Sequence, residues 1–323
     1  MSPRITFVVG TRPEAIKLAP VIRAAQRLPG LQVRLVASGQ HRDLVQPILD
    51  VFGLRPDHDL DAMQPGQGLE ALTSRVLLAF TADLLANRPD LVVVQGDTTT
   101  AFAAALASFY QRRPVGHVEA GLRTGSLEEP WPEEANRSLI SRLSSLHFAP
   151  TEHARQNLLD EGLTPSSIHV TGNPVIDALK FVQPRARELA RRHPALARLF
   201  AEPDAQLVLA TAHRRENHGA RLRQVIAALI QLAETLPSSW FAFSTHPNPS
   251  VQSVVQEMLG SRRPANLVTL PPLPYEIFVG LMDRSTVILT DSGGLQEEAP
   301  SLGKPVLVLR DRTERVEAVQ AGT

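Results

Sequence analysis

Residues 117–137 read HVEAGLRTGSLEEPWPEEANR, and this stretch decides how the rest of the chain is read. An apolar approach, Pro114-Val115-Gly116-His117-Val118, runs into Glu119. A loop with two glycines and two prolines follows, closing on Glu133, Glu134 and Arg137 at a helix start. Carboxylates and arginines crowded at the end of a strand are costly to place unless they face a cleft and meet a partner or a ligand. The stretch therefore predicts a strand–loop–helix unit whose loop forms one wall of an active site.

The same alternation runs outward in both directions. Residues 4–10 (RITFVVG) are a continuous apolar run of the kind that sheets covered on both faces require. Pro13 suits the first turn of the helix that follows over 15–28. Further strands are predicted at 31–37, 91–94, 114–118, 148–150 and 168–171, and helices at 43–52, 69–87, 101–110, 133–146 and 152–161. Residues 183–206 are rich in Arg, Ala and Pro without a clean apolar face and read as a solvated connecting helix. The alternation then restarts, with strands at 207–211, 240–244, 267–270, 287–290 and 305–309 and helices at 221–236, 251–259, 276–282 and 295–302. Strands alternating with helices throughout predict an α/β fold with doubly wound parallel sheets. At 323 residues the chain is too long for one ordinary core, so two domains are expected, 1–182 and 183–323, with a cleft between them.

Composition narrows the function classes. Thirty-three basic residues balance thirty-three acidic ones, which removes any bulk electrostatic case for nucleic acid or an anionic membrane. The chain has no cysteine, so disulfides, thiolate metal sites and cysteine nucleophiles are excluded. The N-terminal apolar run is too short for a signal peptide and no stretch is long enough to span a bilayer, making the cytoplasm the expected location.

In parallel sheets, ligands bind outside the carboxyl ends of the strands. Those ends carry Arg12, Asp97, Glu119, His213 and Ser292, in both halves of the chain. Thr290-Asp291-Ser292-Gly293-Gly294 precedes a helix, where glycines let backbone N–H groups approach a phosphate; an ordinary capped turn explains the same pattern. The turn has no Walker lysine and is not GxGxxG, so neither a P-loop nor a nicotinamide cofactor is expected. Arg12 and Lys17 are either cations for that phosphate or a solvated helix start. His213, beside Arg214, Arg215 and Glu216, is either catalytic or structural, and His246 is a weaker candidate of the same kind. No HxxxH or HExxH spacing occurs, and no metal is expected.

Taken together, Gly10-Thr11-Arg12-Pro13-Glu14, Gly96-Asp97-Thr98-Thr99, HVEAGLR at 117–123, PWPEEANR at 130–137, Thr171-Gly172-Asn173, HRREN at 213–217 and TDSGGLQEEAP at 290–300 resemble the non-hydrolysing UDP-N-acetylglucosamine 2-epimerases. The resemblance covers nearly the whole chain in order. It implies two Rossmann-like domains in the glycosyltransferase-B arrangement, a homodimer, and reversible conversion of UDP-N-acetylglucosamine to UDP-N-acetylmannosamine for envelope polysaccharide, without a cofactor. It also implies that Asp97, Glu119, Glu133 and His213 carry the catalysis. Arg12 and Lys17 would meet UDP from the first domain, and Ser292, Gly293 and Gly294 would hold its diphosphate from the second. Glu298 would contact the ribose, Phe278 the uracil and Arg315 the diphosphate.

The chain departs from the family pattern at several places. Ser244-Thr245-His246-Pro247-Asn248-Pro249 stands for PVHxNP, and Arg312-Thr313-Glu314-Arg315-Val316-Glu317 for TTERPE. Leu273 allows only backbone or apolar contact to uracil. Gln40, His41 and Arg42 match a region where some members bind a second substrate molecule, but Asp43 and Gly66 do not complete it. The family's further strand and helices do not follow Thr323, which implies uncovered apolar surface and lower stability. Three other readings stay open: a hydrolysing relative, a glycosyltransferase of the same architecture, and a nucleotide-sugar-binding protein without turnover.

Overall fold

The structure, a computed structural model, describes residues 2–64, 66–212, 219–245, 248–260, 263–310 and 315. The chain divides into two compact units, Met1–Ala178 and Leu179–Thr323.

The first unit holds strands β1 (Arg4–Val9), β2 (Gln32–Ala37), β3 (His58–Asp59), β4 (Leu91–Gln95), β5 (Val115–Val118), β6 (Leu146–Ala149) and β7 (Ile168–Val170). Its helices are α1 (Arg12–Gln26), α2 (Arg42–Val51), α3 (Leu69–Asn87), α4 (Thr99–Tyr110), α5 (Glu133–Leu143) and α6 (Glu152–Asp160). The seven strands are parallel, in the order β3-β2-β1-β4-β5-β6-β7. Val8, Val92, Val94 and Val115 are fully buried, as strands covered on both faces require. Alanines 101, 104, 105 and 107 let α4 lie close against them. The two-residue strand β3 is too short to carry a periodic signal and was not predicted. The helix predicted over 133–146 ends at Leu143, where Ser144 turns extended and Leu146 pairs with Gly116 of β5. Sheet pairing outweighs local helix propensity there.

Strand order reverses between β1 and β4, which opens a crevice beyond their carboxyl ends. Gly10 follows β1, and a Cβ on it would lie 2.2 Å from Thr100 Oγ1 at the start of α4. The two loops that carry the candidate residues can approach this closely only because that position is glycine.

Next in the chain after β7 come α7 (Pro174–Arg192) and α8 (Ala197–Ala201). The solvated connector expected over 183–206 is corrected here. Val182, Ala186 and Ala190, spaced by one helical turn, are fully or almost fully buried. The apolar stripe is made of small residues, so composition hides it. The arginines occupy another face, where Arg185 stacks over Phe181 and pairs with Glu276.

The second unit contains β8 (Leu207–Thr211), β9 (Trp240–Ser244), β10 (Leu267–Leu270), β11 (Val287–Thr290) and β12 (Val306–Val308), with α9 (Ala220–Thr235), α10 (Pro249–Leu259), α11 (Tyr275–Arg284) and α12 (Leu295–Ser301). The order β10-β9-β8-β11-β12 repeats the reversal of the first sheet, again with all strands parallel. Phe241, Phe243, Ile226, Leu229 and Val251 form its core.

Gly280 of α11 faces Ala186 of α7, and a Cβ there would sit 2.1 Å from the Ala186 carbonyl oxygen. Helix propensity alone favours alanine over glycine by about 1 kcal/mol. Overpacking against backbone costs about 1–3 kcal/mol or more, and at this distance it outweighs the propensity gain. Gly280→Ala is expected to lower the midpoint of urea denaturation; a raised midpoint would show that α7 and α11 are not in this contact.

Candidate functional site

Glu119 follows β5 with φ +65°, a left-handed conformation that costs a non-glycine residue about 1–3 kcal/mol. Its carboxylate is held from three directions. Oε1 accepts from Lys17 Nζ of α1 and, at 2.8 Å, from Asn173 Nδ2. Oε2 accepts from Gln95 Nε2 at the end of β4. The register of β4 against β5 pairs Gln95 with Val118, which brings the Gln95 amide beside the next residue. Lys17 and Glu119 are both buried, so this is a desolvated ion pair inside the unit. Lys17, read from sequence as a cation for a diphosphate, is engaged with Glu119.

Asp97, just past β4, is held by α5. Arg137 Nη2 donates to Asp97 Oδ2, and Asn136 Nδ2 donates to the Asp97 carbonyl at 2.9 Å. Arg137 also faces Glu134 Oε2 at 3.2 Å. Glu134 Oε1 accepts the backbone N–H groups of Thr124 and Gly125 at 3.0 and 3.3 Å, so one buried carboxylate orders both the arginine and the loop. Beside it, Glu133 has a buried Oε2 with no hydrogen-bond partner among the described residues. Buried polar atoms are mostly hydrogen-bonded, so one left unpaired calls for an explanation.

The loop from Glu119 to Pro132 is pinned along its length. Gly121 has φ +89°, and a Cβ there would lie 2.1 Å from the Ala154 carbonyl oxygen of α6. Asn157 donates to the Gly121 carbonyl at 2.9 Å, and Arg123 grips Glu161 through two bonds of 2.6 and 3.0 Å. The peptide bonds before Pro130 and Pro132 are cis.

Two buried titratable groups next to these residues were not singled out from sequence. Glu14 Oε2 accepts from the N–H groups of Gly10 and Thr11 at 2.9 and 2.6 Å, and Oε1 accepts from Thr98 Oγ1 at 2.6 Å. It thus staples the β1–α1 loop to the β4–α4 loop across the point where strand order reverses. Burial pushes its carboxyl above the usual range, against the pull of those hydrogen bonds. The Thr-x-x-Glu spacing of a capping box was the available signal. His117 is fully buried within β5 and its Nε2 bonds the Gly96 carbonyl at 2.8 Å. Burial holds its imidazole down at about 3.

In the second unit, the turn after β11 is built around Thr290, whose Oγ1 bonds Ser292 N at 3.0 Å and Thr211 Oγ1 at 2.8 Å. Ser292 and Gly294 are half-buried, Gly293 is buried, and α12 begins directly after them. Glu298 of α12 is buried and accepts from Tyr275 OH at 2.7 Å, a partner the sequence did not suggest. Leu273 is buried just before α11, and Phe278 is half-buried on α11. Arg315 is ion-paired with Glu297. Arg12 opens α1 in the first unit and is half-buried. His213 with residues 214–217, His246, and residues 312–314 and 316–317 lie outside the described residues. Gln40 Oε1 accepts from Thr100 Oγ1 at 2.7 Å, and Arg42 pairs with Asp59 and Asp61. Among the described residues, no group of three or more His, Asp or Glu is placed to hold a metal ion, and no helix is long and apolar enough to cross a membrane.

Comparison with known proteins bears on this geometry. The profile of a family described as UDP-N-acetylglucosamine 2-epimerase matches residues 23–323. The UDP-N-acetylglucosamine 2-epimerase of Escherichia coli K12 is 48% identical over 99% of this chain and 85% of its own length. The crystal structure of the UDP-GlcNAc 2-epimerase from Neisseria meningitidis, bound to UDP-GlcNAc, superposes with a TM-score of 0.93 at 46% identity, covering 98% of this chain and 85% of that one. The S. aureus MnaA co-structure with UDP gives a TM-score of 0.91 at 40% identity, covering 99% and 83%.

The buried histidine makes stability depend on acid. His117 is neutral when folded and takes up its proton near the ordinary imidazole value of 6.5 when unfolded, so its contribution is present above that pH and is lost as pH falls toward about 3. Glu14, whose carboxyl is raised in the fold, works in the opposite sense: its contribution is present below the ordinary carboxyl value of 4.5 and lost as pH rises. His117→Gln places an amide near the Nε2 position, keeps a donor for the Gly96 carbonyl and removes the titration. Its denaturation midpoint is expected to fall less than wild type between roughly pH 6.5 and 4.5, the slope differing by up to about 1.4 kcal/mol per pH unit. Parallel midpoint–pH curves would mean that His117 is not buried in the neutral form.

Proposed function

Because the chain belongs to the UDP-N-acetylglucosamine 2-epimerase family, we propose that it interconverts UDP-N-acetylglucosamine and UDP-N-acetylmannosamine at sugar carbon 2. Two relatives, solved with UDP-GlcNAc and with UDP, support this substrate class. As the resemblance implies, the enzyme works as a cytoplasmic homodimer supplying envelope polysaccharide.

The chemistry follows from the acidity of the reacting carbon. The hydrogen on carbon 2 is not acidic, so direct inversion is slow. Breaking the carbon 1–oxygen bond sends UDP away with the bonding pair. A base takes the proton from carbon 2, which leaves a 2-acetamidoglucal. A proton then arrives at carbon 2 from the opposite face while UDP oxygen re-forms the bond to carbon 1. General acid–base help of this kind contributes about 10²–10⁴-fold. Retaining UDP makes its return effectively intramolecular.

The observation that carries the reading is the unequal state of the three carboxylates. Glu119 and Asp97 are tied to Lys17 and Arg137, whereas Glu133 keeps a buried oxygen with no hydrogen-bond partner among the described residues. This suits Glu133 to proton transfer at carbon 2, with Asp97 as the second group acting there. Glu119 and His213 assist departure and return of UDP. Arg12, Ser292, Gly293, Gly294 and Arg315 take the diphosphate, Glu298 the ribose, and Leu273 and Phe278 the uracil, while Lys17 stays with Glu119.

Incubation of UDP-N-acetylglucosamine in deuterated water is expected to place deuterium at carbon 2 of both epimers, read by NMR. Glu133→Gln is expected to slow that exchange by about 10²-fold or more while UDP still binds. Release of free N-acetylmannosamine, or full exchange in Glu133→Gln, would overturn the assignment.

A further inference from the structure

We propose that Asn173 is the positioning residue of the Glu119 carboxylate, fixing the plane of that group through an amide whose own direction is set by the cap of α7. The inference rests on the epimerase reading for its catalytic consequence, but the geometry stands apart from it. Asn173 immediately precedes Pro174, the first residue of α7. Its Oδ1 accepts the Val175 N–H at 3.2 Å, the cap bond favoured for asparagine before a helix. Pro174 has no N–H, so the cap serves Val175 without a competitor. With Oδ1 committed there, Nδ2 is turned to the other side, where it donates to Glu119 Oε1 at 2.8 Å.

The three donors to Glu119 are not equivalent. Lys17 supplies charge, but an ammonium is a rotatable point donor and sets no plane. Gln95 and Asn173 are planar amides acting on different oxygens, one on Oε2 and one on Oε1. Together they fix the carboxylate about its last torsion, which is otherwise broad. Removing the Asn173 donor takes away one of the two planar amides among the described partners and loosens that rotation.

The test uses variants that keep the cap. Asn173→Ser retains an oxygen for the Val175 N–H but has no second arm, and Asn173→Asp replaces the donor with a carboxylate facing Glu119. Asn173→Ala loses the cap as well. The serine variant is expected to lose about 10²-fold in kcat with KM and melting temperature close to wild type, because a misplaced group of this kind costs rate rather than fold. The alanine variant is expected to melt lower. In Asn173→Asp the carboxyl ¹³C resonance of Glu119, assigned by its absence in Glu119→Gln, is expected to titrate at higher pH than in wild type. Two like charges would then share the site, with Lys17 from α1 and His117 from β5 as the other titratable neighbours among the described residues. Wild-type kcat in the serine variant, or a loss of kcat that only tracks a lowered melting temperature, would overturn the proposal, as would an unmoved Glu119 titration in the aspartate variant. Absence of deuterium exchange in the wild-type enzyme would overturn the epimerase reading instead, and the Glu119 titration would still decide the role of Asn173.

Discussion

The buried pair between Lys17 and Glu119 is the constraint on which the first unit is arranged. Two charges taken out of water lose several kcal/mol of hydration each, and their attraction offsets this only with good geometry and further hydrogen bonds. The fold provides both. The first helix carries the lysine, the fourth strand ends on Gln95, and the seventh helix opens on Asn173; all three meet the residue that ends the fifth strand. Breaking such a pair from one side costs about 3–5 kcal/mol, which makes the site a structural centre as well as a chemical one.

A second chain of charges runs beside it. Asp97, Arg137 and Glu134 lead from the fourth strand through the fifth helix to the backbone of Thr124 and Gly125. Glu14 performs the equivalent task between the first and fourth strands without a cation, using two backbone N–H groups and a hydroxyl. The loops at the reversal of strand order are therefore cross-linked by carboxylates of the protein itself. Such preorganisation is what electrostatic catalysis requires.

The sheets were legible because their strands are continuous apolar runs, and the strand-end position of Asp97 and Glu119 followed from that. Strand order was not legible, since nothing local in 4–9 or 91–95 specifies that they are neighbours. β3 was missed because two residues carry no period. The buried face of α7 was missed because Ala186 and Ala190 count weakly in any apolar tally, and their importance lies in how near α11 comes. The individual bonds of the site were also out of reach. Lys17 and Arg12 look alike as cations at a helix start, and only the packing shows that one of them turns inward to a carboxylate. His117 sat inside an apolar run, where nothing local marked it as a buried neutral histidine.

The backbone at Glu119 has a consequence of its own. Glycine would adopt φ +65° without strain, and on local grounds it is the residue this turn should carry. Yet putting glycine there would leave the Lys17 ammonium buried without its counter-charge, an expense larger than the relief. The lysine on the first helix and the glutamate after the fifth strand, 102 positions apart, are thereby bound into a single heritable choice: neither is free to drift unless the other changes in the same lineage.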